Sequence, residues 1–154
     1  MDQENADKVR KIIEHVSIFR RMTMAEADAV LKICVVKTFA KGELTYREGT
    51  PSDEMLILLQ GKLTATAESG TALGRIAPGT TTGEMGLLTN SPRSANVVAT
   101  DGGTGFVIKK AAFNRLLDAN DRLKIKVYEN LVDVLCHRLQ DANIKIDTQT
   151  ASAF

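Results

Sequence analysis

Gly83 to Ala95 reads GEMGLLTNSPRSA, and the organisation of the chain follows from it. Gly83 has no side chain, so a ligand can approach its backbone. Glu84 to Leu88 can form a single helical turn whose free N–H groups point back at an anion. Asn90, Ser91 and Pro92 form a turn signal that returns Arg93 to the same place, where its guanidinium fork can hold two oxygens of one anionic group. Ser94 and the Ala95 N–H add neutral donors. A carboxylate facing that anion would repel it, so Glu84 is expected to turn toward a group that donates hydrogen bonds. A phosphate for the arginine and a sugar hydroxyl for the glutamate satisfy both demands. A 3′,5′-cyclic nucleotide, with one charge and a free 2′-OH, carries the two together.

At these residues the sequence resembles the phosphate-binding cassette of cyclic-nucleotide-binding domains, whose pattern is roughly F-G-E-x-A-L-L, a variable turn, then P-R-x-A. Thr82 stands here for the aromatic and Gly86 for the alanine. The resemblance covers roughly residues 16 to 146. It implies that Gly83 and Glu84 hold ribose and phosphate, that Arg93 pairs with the cyclic phosphate, and that Ser94 and Ala95 complete its cradle. Thr82, Met85 and Gly86 belong to the same cassette, residues 82–95, and are expected to line the ligand. The same resemblance puts Ala65 and Leu73 on the wall behind the base, and Ala142 and Asn143 near its edge. Asn143 can both donate to and accept from a purine, or simply face water at a helix end.

Outside the cassette the pattern is helix, strands, helix. Val9, Ile12, Ile13 and Val16 recur at helical spacing, and Thr23 to Glu26 has the spacing of a capping box that opens a second helix. Residues 1–34 are therefore a helical lead-in. Residues 35–109 change to short apolar runs: Val35-Val36, Leu44 to Arg47, Met55 to Leu59, Leu63 to Ala67, Leu73 to Ile76, Asn96 to Ala99 and Thr104 to Ile108. Glycine-bearing turns separate them, Gln60-Gly61 and Asp101-Gly102-Gly103 among them. Strands this short and regular predict a sandwich or barrel, and the resemblance narrows it to a jelly-roll-like β-roll. The fold class is mainly β with flanking helices (α+β), in a single domain, 1–154.

Residues 110–146 are helical again. Lys110 to Asp118 gives a short helix. The stretch from about Asp121 to Ile146 gives a long one with an apolar stripe at Tyr128, Leu131, Leu135, Leu139, Ala142 and Ile146. The resemblance makes this the C-terminal lid helix that closes over the base. The stripe fits packing on the chain's own barrel and equally fits a homodimer through the helix. Residues 147–154 read as a flexible polar tail. With so little chain after the helix, a helix-turn-helix and sequence-specific DNA binding are not expected.

Composition excludes several functions. Twenty basic against nineteen acidic residues leave a net charge of +1, which calls for neither nucleic acid nor an anionic surface. No run of about 18 apolar residues suggests a membrane span, and the polar start MDQENADK lacks a signal-peptide pattern, so a cytoplasmic location is expected. Neither His15 nor His137 lies in the strand region, which argues against a cupin-type metal enzyme, and no P-loop motif occurs. Cys34 and Cys136 are expected to be buried, reduced thiols. Cys136 and His137 are helix neighbours about 100° apart and form no dyad by themselves.

The sequence thus predicts a non-enzymatic, stand-alone sensor with no catalytic residues, no metal and no cofactor. Its ligand is cAMP, with cGMP second, and the unidentified effector is a protein that reads movement of the last helix. The alternative is a degenerate, ligand-free dimerising scaffold of the same fold, suggested by Thr81-Thr82 where an apolar pair is usual.

Overall fold

The structure, a computed structural model, describes residues 2–153. Helix α1 (Gln3–His15) begins where the Asp2 carboxylate accepts from the Asn5 N–H, and a 3-10 turn, Ser17–Phe19, follows it. Helix α2 (Met24–Leu31) carries the capping box that its sequence predicts, with Thr23 and Glu26 each accepting from the other's N–H.

Strands β1 (Cys34–Phe39), β2 (Leu44–Tyr46), β3 (Glu54–Thr66), β4 (Ala72–Ile76), β5 (Thr81–Thr82) and β6 (Asn96–Lys109) form one antiparallel sheet. Its order is β1-β6-β3-β4, with β2 also on β6 and β5 on β3. The expected turns at Gln60-Gly61 and Asp101-Gly102-Gly103 do not reverse the chain. Both runs on either side belong to single long strands, β3 and β6, which pair along nearly their whole length. The two glycine stretches lie opposite each other, Lys62 against Asp101 and Gln60 against Thr104, and the register shifts there. A Cβ on Gly61 would lie 2.7 Å from the Gly102 carbonyl oxygen, so the glycines let the paired strands bend together. Glycine marks a bend of the roll here, and its sequence signal is the same as that of a turn.

Alternation along β3 splits the interior in two. Met55 and Ile57 face a core shared with the helices, including Phe19, Ala27, Phe113, Leu117, Leu123 and Leu131. Leu56, Leu58 and Leu63 face the inside of the roll with Phe39, Tyr46, Ile76 and Val97. The cassette helix α3 (Glu84–Leu88) follows β5, while α4 (Lys110–Asp118) and α5 (Asp121–Ser152) follow β6.

The first third of α5 is fixed to the lead-in. Leu123, Val127 and Leu131 are buried, and the Asn130 amide donates to the Ile18 and Arg20 carbonyls, both at 2.8 Å. Lys126 reaches Glu26 at 2.6 Å. Burial pushes the Glu26 pKa up, but Lys126 and the Thr23 N–H together hold it below the usual carboxylate range.

Beyond Leu131 no residue of α5 is fully buried, so the expected apolar stripe is only partly used: Leu139 and Ile146 are exposed. The helix does not stop at Ile146. Thr148, Thr150 and Ser152 hydroxyls each donate to the carbonyl four residues back, and no glycine or proline interrupts the turn, so residues 147–152 are helical. Cys34 is half-buried, with burial pushing its pKa up to about 12, but Cys136 is exposed on the outer side of α5, against expectation. The His137 ring bonds the Asp133 carbonyl, away from any dyad.

Candidate functional site

One cavity of about 750 Å³ opens between the cassette, the roll and α5. That volume lies inside the range typical of small-ligand sites, about 300–1,000 Å³. Its floor is Thr82, Gly83, Glu84, Met85 and Gly86 with Arg93, Ser94 and Ala95. Ala65, Leu73 and Ile76 form one wall, and Leu135, Arg138 and Ala142 descend from α5.

Arg93 is anchored at its backbone. Its N–H donates to the Thr50 carbonyl and its own carbonyl accepts from the Gly49 N–H, both at 2.8 Å. The side chain is 8% exposed and its guanidinium carbon lies 3.6 Å from the centre of the Tyr46 ring. Nη1 of Arg93 is buried without a hydrogen-bond partner among the described residues. A buried donor with nothing to donate to costs about 1–3 kcal/mol, more when it is charged, so the arrangement suits an incoming anion.

Gly83 takes a left-handed conformation, φ 86°, immediately before α3. A Cβ there would stand 2.5 Å from Arg93 Nη1 and 2.9 Å from the Glu54 carbonyl oxygen. Gly86, standing where the family pattern has alanine, also has a spatial reason: the Ser52 side chain occupies the place of the missing methyl. At the other end of α3, Lys110 Nζ donates to the carbonyls of Gly86 and Thr89 and to Asn90 Oδ1, at 2.8, 3.0 and 2.9 Å. This tie fixes the turn that returns the chain to Arg93.

Glu84 is almost fully buried, 2% exposed. It is ion-paired with Arg138 of α5, which also donates to the Thr81 carbonyl. The Thr81 hydroxyl donates to the second Glu84 oxygen at 3.3 Å. The threonines in place of an apolar pair therefore serve the cassette: one holds its glutamate, and the two pair with Leu56 and Ile57 as β5.

The expected residues Thr82 to Gly86, Arg93 to Ala95, Ala65 and Leu73 all line this one cavity. Met85 and Ser94 sit at its exposed rim, where the Ser94 hydroxyl donates to the Met85 sulfur at 3.7 Å. Asn143 is the exception. It is exposed and does not line the cavity, whereas Asp141, Ala142, Ile144 and Lys145 do. The face of α5 over the cavity runs from Leu135 and Ala142 through Arg138, Lys145 and Asp141 to Ile144, and Asn143 lies about 100° from Ala142 in the opposite direction.

Sequence reasoning missed Tyr46, Ser52, Arg138 and Lys145, the last donating to the Leu73 carbonyl at 3.0 Å. The spacing from Leu135 through Arg138 to Ala142 was the available signal for Arg138. Nothing local marked Tyr46 or Ser52.

Comparison with known proteins bears on this geometry. The profile of the cyclic nucleotide-binding domain matches residues 36–120. Glutaminase 1 of Bradyrhizobium diazoefficiens is 32% identical over 120 residues, covering 78% of this chain and 19% of that protein. The cAMP-dependent protein kinase regulatory subunit of Dictyostelium discoideum is 27% identical over 128 residues, 79% of this chain and 37% of that one. This chain thus spans well under half the length of either relative. In fold it is similar to the crystal structure of a cyclic nucleotide-binding domain from Methylobacillus flagellatus. The TM-score is 0.83 at 21% identity, over 95% of this chain and 84% of that one.

Proposed function

The chain belongs to the cyclic nucleotide-binding domain family, and on that premise we propose that it is a regulatory sensor of a cyclic nucleotide, cAMP ahead of cGMP. The observation that carries the reading is the Arg93 guanidinium, buried at the cavity floor with a donor that has no partner among the described residues. A cyclic phosphate supplies the charge and acceptor it lacks. The purine would lie against Ala65 and Leu73, and a dependence on cAMP is named for the similar Dictyostelium kinase subunit.

In this reading the 2′-OH donates to Glu84, the same carboxylate that holds Arg138. Ligand and lid helix then share one group, so occupancy biases where the last two-thirds of α5 rest. The bias is as large as the difference in affinity between the two positions. An effector protein would read that change.

Calorimetric titration with cAMP, cGMP and 5′-AMP tests the proposal. The expected result is saturable binding near one cyclic nucleotide per chain, with 5′-AMP much weaker. Glu84→Gln should weaken cAMP and leave 2′-deoxy-cAMP less affected. Equal losses on both ligands would remove Glu84 from the ribose, and no binding of either cyclic nucleotide would overturn the sensor reading in favour of a ligand-free scaffold.

A homodimer is supported by a separate observation. Ile125, Val132, Leu139 and Ile146 are spaced seven apart on α5 and are 60, 53, 63 and 61% exposed, with the exposed Tyr128 between the first two. Two copies would bury this row by pairing their helices, beside the Leu135 and Ala142 that line the cavity. Sedimentation should give twice the 16.7 kDa chain mass, and Val132→Lys with Leu139→Lys should return it to the monomer. A wild-type monomer at high micromolar concentration would end the proposal.

A further inference from the structure

Arg93 poses a physical problem. Its side chain is nine-tenths buried, yet among the described residues no carboxylate lies within ion-pair distance of it. An isolated buried cation is costly, and proteins ordinarily place an acid beside it. Here the neighbour is the face of an aromatic ring, 3.6 Å from the guanidinium carbon.

We propose that Tyr46 is the positioning residue of the anion site, holding the Arg93 guanidinium in its working plane by cation–π stacking in place of a carboxylate counter-ion. The inference rests on the cyclic-nucleotide reading of the cavity and names the residue that readies it. A carboxylate would fix the arginine equally well, but it would occupy the N–H fork and cancel the charge that a phosphate needs. A ring face stabilises the cation without taking up a hydrogen. The fork stays open, and Nη1 has no acceptor among the described residues.

The ring is itself held. The Tyr46 hydroxyl donates to Glu54 Oε1 at 2.9 Å, and the other Glu54 oxygen is ion-paired with Lys109. Burial and the neighbouring Glu54 carboxylate push the Tyr46 pKa up and outweigh the downward pull of Arg93, so the phenol stays a neutral donor. The backbone of Tyr46 pairs with Val97 of β6, while the loop after β2 binds the Arg93 backbone through Gly49 and Thr50. Strand β2 and its loop thus fix both partners of the stack.

The test uses two substitutions and two readouts. Tyr46→Phe keeps the ring, and Tyr46→Leu removes it. In calorimetric titrations with cAMP, Tyr46→Leu should weaken binding roughly ten- to thirtyfold, and Tyr46→Phe should stay within about threefold of wild type. Independently of any nucleotide, the Arg93 Nε–Hε NMR resonance should be shifted upfield by the ring current. The shift should persist in Tyr46→Phe and vanish in Tyr46→Leu.

Equal losses in both variants would assign the effect to the hydroxyl and overturn the proposal, as would a folded Tyr46→Leu protein that binds like wild type. Should Tyr46→Leu not fold, the resonance in wild type and Tyr46→Phe decides, and an unshifted signal overturns the stack. If wild type binds no cyclic nucleotide, the sensor reading fails while the resonance still judges the placement of Arg93.

Discussion

Arg93→Ala is expected to weaken cAMP binding by roughly ten- to a hundredfold or more, since a charge-assisted hydrogen bond contributes about 1.5–3 kcal/mol. The same substitution removes a buried cation whose Nη1 has no hydrogen-bond acceptor among the described residues. It therefore relieves a desolvation cost while giving up the contact with Tyr46, and these oppose each other in the stability of the protein alone. The two effects separate in a thermal melt. Without nucleotide the variant should melt close to wild type. With cAMP at about a hundred times the wild-type Kd, the stabilisation of about 2.7 kcal/mol that wild type gains should fall to about 1.4 kcal/mol for a tenfold loss of affinity and to about 0.4 kcal/mol for a hundredfold loss. An Arg93→Ala protein that binds as tightly as wild type would sink the assignment of the cassette.

Gly83→Ala is the second large effect, and it strikes stability and binding together. At φ 86° an alanine pays about 1–2 kcal/mol for the left-handed conformation. Its Cβ would also stand 2.9 Å from the Glu54 carbonyl, which belongs to the central strand β3 and cannot retreat, and 2.5 Å from Arg93 Nη1, which must. We expect a loss of about 2 kcal/mol or more, seen as a melting point lower by roughly 4–8 °C for a chain of this size, and at least a tenfold loss of cAMP affinity as Arg93 leaves its plane. A variant that melts and binds like wild type would mean that the backbone there relaxes freely, and the close approach of Gly83 to Arg93 would lose its significance.

The site was legible in the sequence to the extent that it is local. Gly83, Glu84 and Arg93 lie within eleven consecutive residues, so a turn of helix and a tight return suffice to bring them together. Arg138, Tyr46 and Ser52 reach the same place through α5, β2 and the loop after β2, and no spacing in the chain records such arrivals. Glycine misled in one respect. At Gly61 and Gly102-Gly103 it permits two paired strands to bend past each other, and that use has the same local sequence as a chain reversal. The helix end was placed at Ile146 because the apolar stripe stops there and the residues after it are polar. In residues 147–152 the threonine and serine hydroxyls instead bond the preceding turn. Of the pair Ala142 and Asn143, only Ala142 lines the cavity, because Asn143 lies about 100° round the helix from it, on the side away from Asp141, Ile144 and Lys145.

Helix α5 is 32 residues long, about 48 Å at 1.5 Å per residue. Its fully buried attachment ends at Leu131, and the remaining arm of about 32 Å is tied to the cassette through Arg138 and to the roll through Lys145. A tilt of about 10° about that attachment would carry Ser152 through about 5 Å, the rise of one helical turn. In the sensor reading α5 acts as a lever: the same tilt moves Arg138, about 10 Å from Leu131, by about 2 Å, so that loosening one buried ion pair would become a larger displacement for an effector protein to read.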